Sequence, residues 1–154
     1  MTHKGAALVG LGRYEEAEVA LTAARAAARA SDDADKQVLA AYHLTLALLE
    51  RGGAQRPAAR QCATDALALA QARSVGDGRV AAALEALAAV CLEAGEAAEA
   101  AECCARAMLQ GTDGRLRVGD GGGLLLRARA FAQRGDWATA DSQLNAALEV
   151  RLSD

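Results

Sequence analysis

The sequence predicts an all-α fold of about four antiparallel helix pairs, on three observations. A glycine-led phrase recurs: Gly12-Arg13-Tyr14-Glu15-Glu16-Ala17 with Leu21 and Ala24, Gly95-Glu96-Ala97-Ala98-Glu99-Ala100 with Cys104 and Ala107, and Gly135-Asp136-Trp137-Ala138-Thr139-Ala140 with Leu144 and Ala147. A blurred copy runs from Gly52 or Gly53 through Ala59, Ala63 and Ala66. After each glycine the small and apolar residues step by three and four, the period of one helical face. The composition, 53% hydrophobic but 3% aromatic, makes the core mostly alanine and leucine, which lets neighbouring helices approach closely.

Each glycine is expected at a helix C-terminus in the left-handed conformation, where the missing β-carbon removes a steric cost of about 1 kcal/mol or more. Residues 1–10 then read as the last part of a first helix, so the chain is expected to be a fragment of a longer repeat array, the alternative being a first helix that is naturally short and frays. Tyr14 to Ala30 is a long alanine-rich helix with Glu15, Glu16 and Glu18 near its start, where acidic side chains suit the helix dipole. Ser31-Asp32-Asp33-Ala34-Asp35 is a polar link, with Asp35 the expected cap of a helix from Lys36 to Arg51. That helix carries one stripe of Leu39, Tyr42, Leu46 and Leu49 and another of Ala41, Leu44, Thr45 and Leu48. One stripe must pack on the rest of the fold, and the other is free to line a groove.

Pro57 suits the first turn of a helix ending near Arg73. Ser74-Val75-Gly76-Asp77-Gly78 breaks the chain before a third pair, Arg79 to Ala94 and Glu96 to Gln110. In the fourth pair, Trp137, Ala140, Leu144 and Ala147 share a stripe on which the larger residues are expected to fill the gaps left by the alanines. Between these pairs lie six glycines within residues 111–123, read as an inter-repeat loop. An anion-cradling role for Gly119-Asp120-Gly121-Gly122-Gly123 is the weaker reading, because no strand precedes it and no Lys-Ser or Lys-Thr pair accompanies it.

These residues resemble the tetratricopeptide repeat (TPR), a helix-turn-helix unit with a small residue in its first helix, a glycine and aromatic at the turn, and alanine, large apolar and alanine along its second. Gly5, Leu8, Gly12, Tyr14, Ala17, Leu21 and Ala24 carry the match in the first unit. In the third it rests on Leu84, Leu87, Ala88, Cys91, Gly95, Ala100, Cys104 and Ala107, and in the fourth on Leu124, Ala128, Phe131, Gly135, Trp137, Ala140, Leu144 and Ala147. The second unit needs a one-residue insertion near Gly52-Gly53, and the proline usual at the end of a repeat is missing throughout. Gly12, Gly52, Gly95 and Gly135 stand 40, 43 and 40 residues apart, against about 34 in the standard repeat. That period is similar to the long repeats of sensor regions in large bacterial LuxR-like regulators and of kinesin light chains. The resemblance implies one TPR-like domain over residues 1–154, a right-handed solenoid with units at approximately 1–30, 35–73, 79–110 and 123–151.

It also implies where a partner binds, since the first helices of such pairs line a concave surface that receives peptides or helices. Carried onto this sequence, the partner-binding groove comprises Leu39, Tyr42, His43, Leu46, Leu49, Glu85, Ala89, Leu92, Leu125, Arg129 and Gln133. The groove is mainly apolar and suits an amphipathic helix; the alternative is that its leucines pack against a further helix. The carboxylate clamp of some TPR adaptors is expected to be absent, because the matching places hold Thr2, Ala6, His43, Ala82 and Ala86.

Nothing in the sequence specifies reaction chemistry. Cys62, Cys91, Cys103 and Cys104 show no paired metal-ligand spacing, so no metal and no cofactor is expected, and buried free thiols are the main reading, with a redox role for Cys103-Cys104 the minor one. His3 and His43 have no serine, cysteine or carboxylate at triad spacing. An enzyme would need Tyr42, His43, Glu85 and Arg129 to converge on one deep pocket. A net charge of −3 argues against a nucleic-acid surface, and no apolar run approaches the roughly 18 residues of a membrane span. The expectation is a non-enzymatic cytoplasmic scaffold that binds a protein or peptide, touches neither nucleic acid nor membrane, and could self-associate through exposed solenoid ends. The alternative is a sensor or ligand-binding segment of a larger bacterial transcriptional regulator.

Overall fold

Gly12, Gly95 and Gly135 hold φ at 73°, 79° and 88°, and the backbone closes the same pair of hydrogen bonds around each. The Gly12 N–H donates to the Val9 carbonyl at 3.0 Å and the Arg13 N–H to the Leu8 carbonyl at 2.9 Å. Glu96 donates likewise to Cys91 at 2.8 Å and Asp136 to Phe131 at 2.9 Å. This is the Schellman closure, which satisfies the last carbonyls of a helix and turns the chain sharply.

The computed structural model describes residues 1–110 and 121–153. Among these residues it is all-α: α1 (Thr2–Gly10), α2 (Tyr14–Ala30), α3 (Ala34–Arg51), α4 (Arg56–Ala72), α5 (Asp77–Glu93), α6 (Ala97–Leu109), α7 (Gly121–Arg134) and α8 (Trp137–Ser153), with one 3-10 turn at Gly53–Gln55. Consecutive helices pack on each other, and α1, α3, α5 and α7 also touch in order, while the even-numbered helices stand further apart, α2 reaching α4 through the long Arg25 side chain, which meets Cys62 and Asp65. One apolar core joins α1 to α5 through Leu8, Leu21, Val38, Leu44, Ala63 and Val90. A second joins α5 to α8 through Cys91, Leu92, Cys104, Phe131 and Ala140, and Leu87 packs against both. No helix among the described residues is long and apolar enough to cross a membrane.

Three expectations need correction. The cap of α3 is Asp33, whose side chain accepts from the Lys36 N–H at 3.0 Å, so the helix begins at Ala34 and Asp35 lies inside its first turn. The second-unit insertion is two residues, not one: Gly52 is the positive-φ glycine, and Ala59 follows it by seven residues where Ala17 follows Gly12 by five. The additional length is absorbed by the 3-10 turn, after which Ala59, Ala63, Ala66 and Ala70 are buried as Ala17, Leu21, Ala24 and Ala28 are in α2. Finally, Ala140 and Ala147 are buried, but Trp137 is 67% and Leu144 41% exposed. The shared stripe exists, yet among the described residues α8 contacts α7 alone, so its larger side chains meet no second helix there. The stretch 111–120 lies outside the described residues, and with it part of the loop that includes Gly119 and Asp120, whereas Gly121, Gly122 and Gly123 open α7.

Candidate functional site

The predicted groove residues fall on the odd-numbered helices at matching distances from the turn glycines. Tyr42, Glu85 and Leu125 stand ten residues before their glycine, Leu46, Ala89 and Arg129 six before, and Leu49 and Leu92 three before, where α1 and α7 add Thr2, Ala6, Val9 and Ala132 at the same distances. Helical periodicity puts these positions on one face, and contacts of α3 with α1 and α5, and of α5 with α7, set those faces beside one another.

The richest part is α3. Leu39, Tyr42, His43, Leu46 and Leu49 are all half-buried, while the opposite stripe of Val38, Ala41, Thr45 and Leu48 is buried in the core. The Tyr42 and His43 rings meet edge to face, with centroids 5.0 Å apart, a geometry that suits the aromatic quadrupole. On α5, Ala89 and Leu92 are buried and contribute floor rather than projecting surface, and Glu85 is half-buried. On α7, Leu125, Arg129 and Gln133 are exposed.

Ion pairs lace the odd helices together. The Glu85 carboxylate accepts a hydrogen bond from Arg127, with side chains only 14% and 11% exposed. Arg129 pairs with Glu93 at 3.3 Å, and Arg79 with Asp35 at 2.9 Å. Because a buried charge is costly unless matched, Glu85 and Arg127 fix the register of α7 on α5. The sequence reading includes Glu85 and Arg129 but misses Arg127. Its position carries no distinct signal: eight residues before the glycines stand Lys4, Leu44, Leu87 and Arg127, two cations and two leucines.

Tyr42, His43, Glu85 and Arg129 line neither of two open depressions on the surface of the described residues. One, of about 420 Å3, is lined by Lys4, Leu8, Glu15, Glu16, Val19, Ala20 and Ala23. The other, of about 500 Å3, involves Gly12 to Glu16 and Arg51.

All four cysteines are free and buried. Burial pushes their thiols up, to about 12 for Cys91 and Cys104, which suppresses the thiolate needed for nucleophilic or redox chemistry. Cys91, Glu96 and Glu99 bring ligand atoms within 4.8 Å of one another. Glu96, however, is engaged by Arg60, whose hydrogen bond holds its carboxyl below the usual range. Protonated sulfur beside an ion-paired carboxylate is a poor donor set for a metal.

Compared with known proteins, the chain matches no protein-family model and no curated protein.

Proposed function

We propose that this chain is a TPR-like right-handed solenoid of about four helix pairs that works as a non-enzymatic cytoplasmic scaffold, receiving a peptide or helix of a protein partner on its odd helices. The observation that carries the reading is the half-buried apolar stripe Leu39, Tyr42, Leu46 and Leu49 on α3. It runs along a helix that packs against both its odd neighbours. Its spacing suits an amphipathic helix with apolar anchors at successive turns, while Arg129 and Gln133 offer polar contacts toward α7. The ion-paired odd helices support the reading by giving a partner a rigid face.

The test is titration of the 15N-labelled protein with amphipathic helical peptides. Amide shifts should concentrate in α3 and the facing turns of α5 and α7, and Leu46→Glu should weaken binding by about tenfold or more, the loss expected when a central apolar anchor is removed. Shifts confined to the even helices, or an unchanged affinity in Leu46→Glu, would sink the proposal.

The long repeat period favours a second reading, a sensor segment of a larger bacterial transcriptional regulator. A nucleotide-binding or helix-turn-helix DNA-binding domain on the same gene would decide for it.

A further inference from the structure

The first and last helices leave uncovered the two halves of a junction that the fold builds three times internally. Nine residues after their glycines, Leu21 and Cys104 are fully buried, as is Ala63 once the two-residue insertion is allowed for, but the matching Leu144 of α8 is 41% exposed. Five residues before the glycines, Ala47, Val90 and Ala130 are 0%, 3% and 0% exposed, but the matching Ala7 of α1 is exposed. In the first set Leu21 meets Gly5 of the odd helix of its own unit on one side. The even helices also pack on the odd helix that follows, α2 on α3, α4 on α5 and α6 on α7, a neighbour that α8 lacks among the described residues as α1 lacks a preceding even helix. Trp137, Leu144, Leu148 and Leu152 form an exposed apolar stripe along α8, centred on Leu144, the position that is buried in every other unit, and α1 presents the type of face that packs beside that position elsewhere.

The charges agree. At the α4 to α5 junction, Arg60 of the even helix pairs with Glu96, the residue just after the turn glycine of the next unit. The residue matching Arg60 on α8 is Asp141, and the one matching Glu96 in the first unit is Arg13, so the same contact would form with its signs reversed. Arg13 now pairs with Glu16 on the surface, an exposed interaction of the kind that contributes little and is easily exchanged.

We infer that α8 of one copy docks on α1 of a second copy, head to tail, repeating the internal even-to-odd junction between chains. The contact is heterologous, so it extends an array instead of closing a two-fold dimer. It rests on the repeated-pair reading of the fold and not on the groove.

Sedimentation of the full chain over a range of concentrations tests this. The weight-average mass should climb from the 15.7 kDa monomer past the dimer without a plateau. Ala7→Glu and Leu144→Glu should each remain monomeric, yet their equimolar mixture should form a 1:1 dimer and stop there, because each variant keeps the face the other lacks. Leu148→Glu, at a more exposed site, replaces Leu144→Glu if that variant melts early. Asp141→Arg should weaken assembly, and adding Arg13→Asp to the same chain should restore it. Leu46→Glu should assemble as the parent does, which separates this contact from peptide binding. A parent that stays monomeric throughout overturns the inference, and so does Ala7→Glu that still dimerises, which would mean α8 pairs with α8.

Discussion

Gly5 of α1 lies so close to Leu21 of α2 that a β-carbon at residue 5 would sit 2.4 Å from both Cγ and Cδ2 of Leu21. Leu21 is fully buried and has nowhere to retreat. At the matching positions of later units stand Thr45 with Ala63, Ala88 with Cys104, and Ala128 with Leu144, so a bulkier residue on one helix is met by a smaller one on the other. Gly5→Ala should therefore destabilise the fold: overpacking costs about 1 to 3 kcal/mol, against roughly 1 kcal/mol gained from helix propensity. Leu21→Ala alone should cost about 2 to 5 kcal/mol, and the double variant less than the sum of the two. Chemical denaturation of the four proteins measures the coupling; additive losses would place α1 differently on α2.

The alanines of the even helices give a second test. Ala100 and Ala140 are both buried, Ala100 completely, one in each of two matching turns. Replacing either with leucine should cost on the order of 1 to 3 kcal/mol through overpacking. A variant that melts like its parent would show that its helix does not make the close contact described.

Much of this architecture is legible because it depends on local chemistry. The limits of α2, Tyr14–Ala30, follow from a glycine turn at one end and a polar link at the other, and positive φ at Gly12, Gly52, Gly95 and Gly135 follows from the phrase itself. The remainder depends on what packs over what. Asp33 and Asp35 are equally good caps on paper, and only the path of the chain selects Asp33. Periodicity places Trp137 with Ala140 but cannot say whether a helix covers both. In the candidate site, the α3 stripe is readable from spacing alone, whereas the Glu85 and Arg127 pair depends on the register of α7 against α5, which no local pattern encodes.

The turns from α2 to α3 and from α4 to α5 use residues no glycine signal reveals. Asp32 and Ser74 adopt φ of 52° and 47°, and their successors close the same long hydrogen bond, Asp33 to Ala28 at 2.8 Å and Val75 to Ala70 at 3.2 Å. A residue with a β-carbon is strained in this region by about 1 to 2 kcal/mol. Asp32 is held by Arg73 through bonds of 2.9 and 3.0 Å, and Ser74 follows that arginine directly. Ser74→Gly should raise stability by up to about 1 kcal/mol, the relieved strain being partly offset by the greater freedom of glycine in the unfolded chain. An unchanged or lower melting temperature would count against left-handed geometry at that turn.

Acid should weaken the fold through its surface carboxylates. Hydrogen bonds from Arg73, Lys36, Arg13 and Arg60 hold Asp32, Asp33, Glu16 and Glu96 below their usual range, and Thr139 does the same for Asp136. A depressed carboxyl contributes stability that is present above the unfolded value of about 4 and lost as pH falls through the lower folded value. Thermal midpoints should thus be level near neutrality and fall below about pH 4. A Asp136→Asn chain keeps an acceptor for the Thr139 N–H and should show a shallower fall.

The buried thiols set the alkaline limit. Cys91 and Cys104 are raised to about 12 by burial, whereas a thiol in the unfolded chain ionises near pH 8.5, as an ordinary cysteine does. The raised value means that their contribution is complete below the unfolded pKa and is lost as pH climbs toward the folded one, because only the unfolded chain can then release the proton. Stability should decline between about pH 8.5 and 12, and Cys104→Ala, although less stable at neutral pH, should lose less over that window. The same burial predicts slow reaction of all four thiols with a disulfide reagent under native conditions and fast reaction in denaturant. Prompt native labelling of Cys103 or Cys104 would contradict their burial and reopen a redox role for the pair.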